Sequence, residues 1–373
     1  MDDDMHIVPL TGRVLPPDGP VLRDHVRKPH RRTDQYLERY DRTTLYYDCV
    51  YLEARRSYLF TAPRFLNLWK PFRAGLRING RPVRWLRRRT WLRTEQVEIR
   101  APRGALTLTW DGVTAPVPVR AGLAQCFSGL NCLVAVNKNN HLDWIADWAA
   151  YYVREHGAEA VAIFDNGSDA YAPADLSARL RTVPGLLRSA VMSAPYPYGP
   201  TDRSRKLEIS PRFFQTGMLN IARRDLFSRA RAVLSVDIDE IAQRGGGAPS
   251  VFDMAVHNKL GMVTIDGVWI YPSRDADGPV GHGAHVFRQV PDRQCNRKWC
   301  LRPGGVMDRF GWAVHHIGGP LQDIFTRQDD IGLLHCKGTS TGWKRNRFDL
   351  PEQMTEDPGL TRFMLENFPP PEP

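Results

Sequence analysis

Three carboxylates follow directly after a short apolar run. They are Asp237, Asp239 and Glu240, and the run covers residues 233–236. An aliphatic run of this length predicts a buried strand, and alternation along it predicts that Asp237 and Asp239 point to the same side. Two such carboxylates repel each other unless a cation lies between them, and Mg²⁺ and Mn²⁺ prefer hard oxygen ligands of this kind. The motif predicts a divalent-metal site, although a solvated acidic turn would give the same short pattern.

The stretch before this motif alternates between apolar runs and segments with helical spacing. Strands are predicted over residues 131–136, 160–164, 186–192 and 233–236, and helices over residues 141–156, 175–181 and 206–224. This order predicts an α/β fold with a mostly parallel sheet. Ligands of such open sheets bind at the carboxyl ends of the strands, where polar clusters follow three of the four predicted strands. The coincidence favours a ligand site at that edge.

The first third of the chain has a different pattern. Residues 1–40 are rich in Pro, Arg, Asp and His without periodicity, which predicts an extended or poorly ordered arm. Residues 41–125 contain short alternating runs and an Asn-Gly turn signal, which predict a small antiparallel β domain. We expect residues 126–345 to form the α/β domain and residues 346–373 to form a C-terminal tail.

Composition restricts the class of protein. The 373 residues carry a net charge of +10, which could attract nucleic acid, anionic lipid or phosphorylated small molecules, or could reflect genomic base composition. Apolar runs fall short of the roughly 20 residues that span a bilayer, and the acidic N-terminus lacks the apolar core of a secretory signal. The six cysteines form no Cys-x-x-Cys pair, which disfavours structural zinc. We expect a cytoplasmic protein, with peripheral contact to an anionic membrane left open.

Arginine and aromatic residues cluster within the predicted β domain. The cluster contains Trp85, Arg87, Arg88, Arg89 and Trp91. Such a mixture could bind a glycan or a phosphate backbone, because arginine pairs with phosphate and aromatic rings stack. Core anchors beside a solvated face would produce the same composition.

Several stretches of the chain resemble glycosyltransferases of families 2 and 92. They are Val-Asn-Lys-Asn-Asn at 136–140, Ile-Phe-Asp-Asn-Gly-Ser at 163–168, Ser-Val-Asp-Ile-Asp-Glu at 235–240, Lys298 with Arg302 and Pro303, the pair His315 and His316, and Leu334 with His335. The resemblance implies the GT-A fold, a nucleotide-sugar-binding, Rossmann-like sandwich with a mixed, mostly parallel sheet, here preceded by the small antiparallel β domain. Two residues depart from the family pattern, because Asn140 replaces a usual Glu and Ile241 replaces a usual aromatic residue.

The resemblance also implies roles for individual residues. The implied donor-binding residues are Val136, Asn137, Lys138, Asp165, Asn166, Asp237 and Arg302. Asp237 and Asp239 would hold Mn²⁺ or Mg²⁺, and His335 or one of the pair His315 and His316 would complete the metal site. The expected catalytic residues are Asp237, Asp239 and Lys298. A divalent cation and a nearby lysine or arginine side chain would offset the negative charge of the leaving diphosphate. Further candidates for the positively charged side chain are Arg203, Arg205 and Lys206.

The implied activity is a metal-dependent, inverting hexosyl transfer. The donor would be a UDP- or GDP-sugar and the acceptor a glycan or another hydroxyl, in cell-surface or extracellular polysaccharide synthesis, with no nucleic acid partner. The catalytic base is not identified, and the candidates are Asp308, Asp323, Asp329 and Asp330.

Two other functions stay open. A sugar-phosphate nucleotidyltransferase would need a glycine-rich loop after the first strand, and residues 136–140 contain no glycine. A basic module that binds nucleic acid or anionic glycans would use the carboxylates only structurally.

Overall fold

Short strands are the main regular elements of the chain up to Ala121. The structure, a computed structural model, describes residues 5–202, 208–274, 278–339, 342 and 349–369. The strands of this first part are β1 (Met5–Pro9), β2 (Arg13–Val14), β3 (Thr44–Tyr46), β4 (Asp48–Leu52), β5 (Ser57–Pro63), β6 (Leu76–Ile78), β7 (Arg81–Pro82), β8 (Arg87–Trp91), β9 (Thr94–Arg100), β10 (Leu106–Trp110), β11 (Val113–Pro116) and β12 (Arg120–Ala121). Its helices are α1 (Asp34–Arg39) and α2 (Trp69–Gly75).

Two sheets organise this β-rich part. One has the order β12-β4-β5-β9-β8 and the other has the order β11-β10-β6-β7. All of their pairings are antiparallel except that of β12 with β4. Both sheets and α2 contribute to one apolar cluster, which includes Phe60, Phe72 and Leu108. Antiparallel sheets therefore occupy the stretch where the alternating pattern predicts them.

Strands and helices alternate in the remainder of the chain. The strands are β13 (Asn131–Asn137), β14 (Ala160–Asp165), β15 (Arg188–Ser193), β16 (Ala232–Ser235), β17 (Glu240–Arg244), β18 (Met262–Ile265), β19 (Gly267–Pro272), β20 (His285–Arg288), β21 (Lys298–Leu301), β22 (Ile331–Cys336) and β23 (Thr355–Glu356). The helices are α3 (Leu142–His156), α4 (Pro173–Arg181), α5 (Phe214–Arg224), α6 (Val251–His257), α7 (Pro320–Phe325) and α8 (Pro358–Asn367). Among the described residues, none of the helices combines the length and apolar composition that crossing a bilayer requires.

A seven-stranded sheet forms the centre of the molecule. Its order is β1-β15-β14-β13-β16-β21-β18. The first five strands are parallel, β21 runs antiparallel to them, and β18 pairs antiparallel with β21 and so has the direction of the first five. The prediction of an α/β fold with a mixed, mostly parallel sheet is confirmed. The strand order reverses between β13 and β16, because the chain returns past β13 after β15. Ligands of doubly wound sheets bind in the crevice at such a reversal.

Alternation along the inner strands explains why this sheet is covered on both faces. In β13, Leu133 and Ala135 belong to the apolar cluster that includes α3 and α4. Cys132, Val134 and Val136 point the other way, into the cluster that includes α5. A parallel strand buried on both faces needs apolar residues at every position, which is the pattern of this run.

Residues 5–40 are built into the fold, so the prediction of an arm over residues 1–40 is wrong for them. β1 is an edge strand of the central sheet and pairs in parallel with β15, with Ile7 opposite Val191. Farther along, the Arg23 guanidinium is buried and donates to the carbonyl oxygens of Arg64 at 2.8 Å and Asp41 at 2.6 Å. Local composition did not reveal these contacts, because the partners lie far away in the sequence.

Arg120 joins the β-rich part to the end of α5. Its guanidinium donates to Asp48 at 2.6 Å and to Asp225, the residue after α5, at 2.5 Å. The Arg120 side chain is 8% exposed and both carboxylates are 1% exposed or less. Burial alone would lower the pKa of Arg120, but the two carboxylates outweigh it and the net shift is upward. The two carboxylates therefore stabilise the charged form of Arg120.

Replacing Arg120 with methionine should lower the free energy of unfolding by about 3–5 kcal/mol, because two buried carboxylates would lose their cation. Denaturant titrations of the wild type and the variant measure the difference. Arg103→Met is the matched control, since Arg103 pairs with Glu53 at the surface, where both side chains are more than half exposed. That pair is worth less than about 1 kcal/mol. Equal losses in the two variants would contradict the prediction.

Candidate active site

The acidic motif lies in a tight turn that connects two sheets. β16 ends at Ser235 and β17 begins at Glu240, and the Glu240 N–H donates to the Asp237 carbonyl oxygen at 3.1 Å. Strand alternation does not extend through a turn, so it does not place Asp237 and Asp239 on one side. Asp237 contacts Lys298, whereas Asp239 contacts His335. The prediction of a shared side is wrong because the strand ends before the motif begins.

Strand register brings distant side chains to this turn. β17, β22 and β19 belong to a five-stranded sheet with the order β17-β22-β19-β20-β23. Glu240 is opposite His335 in the antiparallel pairing of β17 with β22. On the other side, His335 is opposite Trp269 in the parallel pairing of β22 with β19, and the two rings stack with centroids 3.7 Å apart. The stacked indole fixes the plane of the imidazole ring.

Asp239, Glu240 and His335 form a group that could hold a metal ion. One ligand atom from each lies within 4.8 Å of the others, and all three residues are buried. His335 Nε2 is 3.2 Å from Asp239 Oδ2, and His335 Nδ1 is 3.5 Å from Glu240 Oε1. Two carboxylates and one imidazole fit Mn²⁺, which accepts oxygen and nitrogen ligands. The donor set therefore suits the divalent cation that the sequence predicts.

This group contains only part of the predicted metal set. Asp239 and His335 are in it, but Asp237 and His316 are not. Glu240 was not predicted, although its position next to Asp239 was the available signal. Asp237 Oδ2 instead accepts from Lys298 at 2.8 Å, and His316 is exposed on the surface. The neighbouring His315 donates from Nδ1 to the Arg297 carbonyl oxygen at 3.0 Å.

Lys298 neutralises two carboxylates of the turn. Its Nζ is 2.8 Å from Asp237 Oδ2 and 2.9 Å from Glu240 Oε2, and the side chain is 1% exposed. Burial alone would lower the pKa of Lys298, but these carboxylates outweigh it and raise the pKa. Burial raises the pKa of Glu240, while Lys298 acts in the opposite direction. The pKa of His315 is lowered to about 3, first by burial and then by the charge of Lys298, so its imidazole is neutral. Lys298 thus contacts the two carboxylates from within the protein and does not face open space.

A cavity of about 340 Å³ opens beside this group. Asp237, Glu240 and His335 line it together with three cations, Arg212, Arg293 and Lys337. Lys337 Nζ also lies 5.6 Å from the centre of the Trp269 ring. Sequence reasoning did not single out these cations, and none of them lies in a recognisable motif.

A larger cleft of about 640 Å³ adjoins this cavity, and Tyr198 lines both. Its inner wall follows the carboxyl ends of β13, β14 and β15 and includes Lys138 and Asn166. Its outer wall comes from the N-terminal segment and includes Tyr40 and Arg42. Both spaces therefore lie along the edge of the sheet where the sequence places polar clusters.

The other predicted donor-binding residues are engaged within the protein. Asn137 is buried and donates to Asp165 Oδ1 at 2.8 Å and to the Tyr171 hydroxyl at 2.8 Å. Asp165 also accepts from the Ser168 backbone at 2.9 Å. This network shapes the floor beneath Lys138. Val136 packs into the core cluster below the sheet.

Arg302 lies at the other end of the strands of the central sheet from the acidic turn, so its predicted place in the donor site is wrong. β21 runs antiparallel to β16, with Leu301 opposite Val233 and Trp299 opposite Ser235. Lys298 is therefore near the acidic turn, and Arg302 is level with Ala232, the first residue of β16. The spacing of Lys298 and Arg302 in the family pattern puts both residues on one strand, but it does not show in which direction that strand runs.

The remaining candidates do not meet in this cavity. Asp308 accepts from Arg223 at 2.9 Å, and Asp323 pairs with Arg297 on the surface. Asp329 and Asp330 are exposed. Arg203, Arg205 and Lys206 lie outside the described residues.

Comparisons with known proteins leave the family unassigned. No family model and no curated protein matches the chain. Among solved structures, the crystal structure of S. aureus TarS 1–349 matches with 11% identity and a TM-score of 0.28. The match covers 57% of this chain and 58% of that chain. A superposition this loose carries no argument about fold or function.

Proposed function

We propose that this protein is a metal-dependent glycosyltransferase of the GT-A type, which transfers a sugar from a nucleotide donor to a glycan or other hydroxyl acceptor. One observation carries the proposal. The Asp239, Glu240 and His335 group lies at the reversal of strand order in a mostly parallel sheet, beside a cavity that shares the lining residue Tyr198 with a larger cleft. A cation site and an adjoining cleft at such a reversal fit a ligand with a diphosphate and a flat base.

The larger cleft has the size and chemistry for the nucleoside of the donor. Its volume of about 640 Å³ is in the range of small-molecule sites. Tyr40, Tyr196 and Tyr198 are among its lining residues, and the half-buried Tyr198 could offer a stacking surface for a base. Lys138 and Arg42 add positive charge toward the phosphates. We therefore place the base and ribose in this cleft and the diphosphate toward Tyr198 and the smaller cavity.

The smaller cavity would hold the reacting end of the donor. A divalent cation bound there would offset the negative charge that develops on the leaving diphosphate. Arg212, Arg293 and Lys337 would surround the same oxygens with further positive charge. Lys298 would act from behind, because its contacts place a positive charge against Asp237 and Glu240 and fix their orientation. Inversion, the UDP or GDP identity of the donor and a role in polysaccharide synthesis rest on the sequence resemblance alone.

A thermal-shift screen tests this proposal directly. We expect one nucleoside diphosphate or its sugar conjugate to raise the melting temperature in the presence of Mn²⁺, with little effect in EDTA. At a ligand concentration 100 times Kd, the stabilisation is about 2.7 kcal/mol. The matching nucleoside without phosphates is the control, since it should stabilise far less. The absence of any Mn²⁺-dependent nucleotide shift would contradict the proposal.

A further inference from the structure

A separate basic cavity lies between the β-rich part and the end of α5. We call it the arginine cavity, and its volume is about 500 Å³. Its lining consists of Arg87, Arg89, Thr90, Trp91, Arg223 and Arg309. None of these residues lines the two spaces of the candidate active site. The cluster of arginine and tryptophan that stands out in the sequence therefore contributes to a concave surface.

Positive charge in this cavity is poorly balanced. Its lining contains four arginines and no carboxylate. Within the described part of the chain, Arg87, Arg89 and Arg309 form no ion pair at 4.0 Å or less. The pKa of Arg89 is lowered, first by burial and then by the charge of Arg87. Like charges held this close are stabilised by an anion between them.

Arg223 contributes a buried donor at the base of the cavity. The residue is 5% exposed, and its Nε donates to Asp308 at 2.9 Å. Its Nη1 is buried and has no hydrogen-bond partner among the described residues. A buried N–H group without an acceptor is costly, and few native proteins retain one without a reason. An oxyanion in the cavity would supply that acceptor.

Trp91 gives this site a fixed wall. Its Nε1 donates to Gln96 at 3.2 Å, and the Arg223 guanidinium lies 5.0 Å from its ring centre. A Cβ on Gly311 would come within 2.6 Å of the Trp91 ring, and Gly311 has a φ of 76°. Only glycine therefore fits at position 311 without displacing the indole. The cavity is a shaped site and not a chance meeting of long side chains.

We propose that the arginine cavity binds a phosphate group. Guanidinium groups present paired N–H donors that match two oxygens of one phosphate, and several of them together can neutralise a dianion. The phosphate could belong to a soluble compound or to a lipid headgroup. Exposed apolar side chains occur near the cavity residues in sequence, with Trp85 88% exposed, Leu92 68% exposed and Phe310 45% exposed. This site is independent of the proposed transfer reaction.

Calorimetric titration with inorganic phosphate at low ionic strength tests the site. We expect saturable binding to the wild type and at least a tenfold weaker affinity in the double variant Arg89→Gln with Arg309→Gln, because each removes a charged donor. Arg81→Gln with Arg84→Gln is the control, since it removes the same charge from exposed positions outside the cavity. Arg223 is left unchanged because its pair with Asp308 supports the fold. Melting temperatures verify that both double variants are folded.

Vesicle sedimentation identifies the source of the phosphate. Binding to phosphatidylcholine vesicles that contain phosphatidic acid, lost in the cavity variant and kept in the control, indicates a lipid headgroup. Binding of inorganic phosphate without vesicle binding indicates a soluble phosphate compound. Equal losses in the cavity and control variants would show only a general charge effect and overturn the proposal. Unchanged binding in the cavity variant, or no binding by the wild type to either probe, would also overturn it.

Discussion

Replacing Asp239 with alanine should abolish metal-dependent donor turnover. The carboxylate is one of three candidate ligands, and its Oδ2 lies 3.2 Å from His335 Nε2. Losing one ligand weakens the hold on the cation, and losing the cation removes charge stabilisation from the leaving diphosphate. Loss of a single preorganised electrostatic contact already costs about 10²–10³ in kcat. We expect a decrease at least that large, measured with the donor that the thermal-shift screen selects.

Binding measurements separate this effect from a general loss of structure. Calorimetry should show weaker Mn²⁺ binding in Asp239→Ala, with an unchanged far-ultraviolet circular dichroism spectrum. Asp143→Asn is the control, because Asp143 is an exposed carboxylate that pairs with Arg179 at the surface. Full turnover by Asp239→Ala that also survives EDTA would show that this group is not the metal centre.

The same assay decides which carboxylate accompanies Asp239. Sequence spacing favours Asp237, whereas the geometry favours Glu240. We therefore expect Glu240→Gln to weaken Mn²⁺ binding more than Asp237→Asn does. The reverse order would restore the paired aspartates as the ligands.

Replacing Lys298 with methionine should cause the second large effect, a loss of about 3–5 kcal/mol in the free energy of unfolding near neutral pH. The substitution leaves Glu240, which is 1% exposed, without its main cation. Asp237 loses the same partner but is 19% exposed, so water can partly replace the lysine. Denaturant titrations measure the change, and Lys259→Met is the control because Lys259 is an exposed lysine.

The loss in Lys298→Met should depend on pH in a defined direction. Burial raises the pKa of Glu240 above its ordinary value of 4.5, and removing Lys298 raises it further. A carboxyl group with a raised folded-state pKa favours folding below its unfolded value, and this advantage is lost as pH rises through the folded value. The difference between the wild type and the variant should therefore be small near pH 4.5 and grow toward pH 8. A difference that is constant over this range would show that Glu240 is not the group responsible.

The central sheet could be predicted because its signals are local. The run predicted over residues 160–164 is the strand Ala160–Asp165, and the helix predicted over residues 141–156 is Leu142–His156. Apolar runs and helical spacing each specify an element without reference to the rest of the chain. β1 lacks such a signal, because a five-residue edge strand is stabilised mainly by its partner, and Ile7 is 45% exposed.

The candidate site could be predicted only in part, because it depends on register and turn geometry. Residue type and spacing suggested Asp239 as a ligand, and the resemblance to glycosyltransferases suggested His335. The choice of His335 over His316 depends on the pairing of β22 with β17, which no local pattern encodes. Glu240 was missed because strand alternation was extended into a segment that turns. Arg302 was misplaced because spacing along a strand does not tell its direction.

The pairing of β1 with β15 affects how the protein can be made. Met5 is opposite Ser189, so the partner of the first strand is synthesised about 180 residues later. At about 5–20 residues per second, roughly 10–40 s pass before that partner exists. During this interval the nascent N-terminal segment cannot take its final place, and the outer wall of the larger cleft cannot close. The cleft can therefore form only after translation has passed Gly199, well after the β-rich part has been translated.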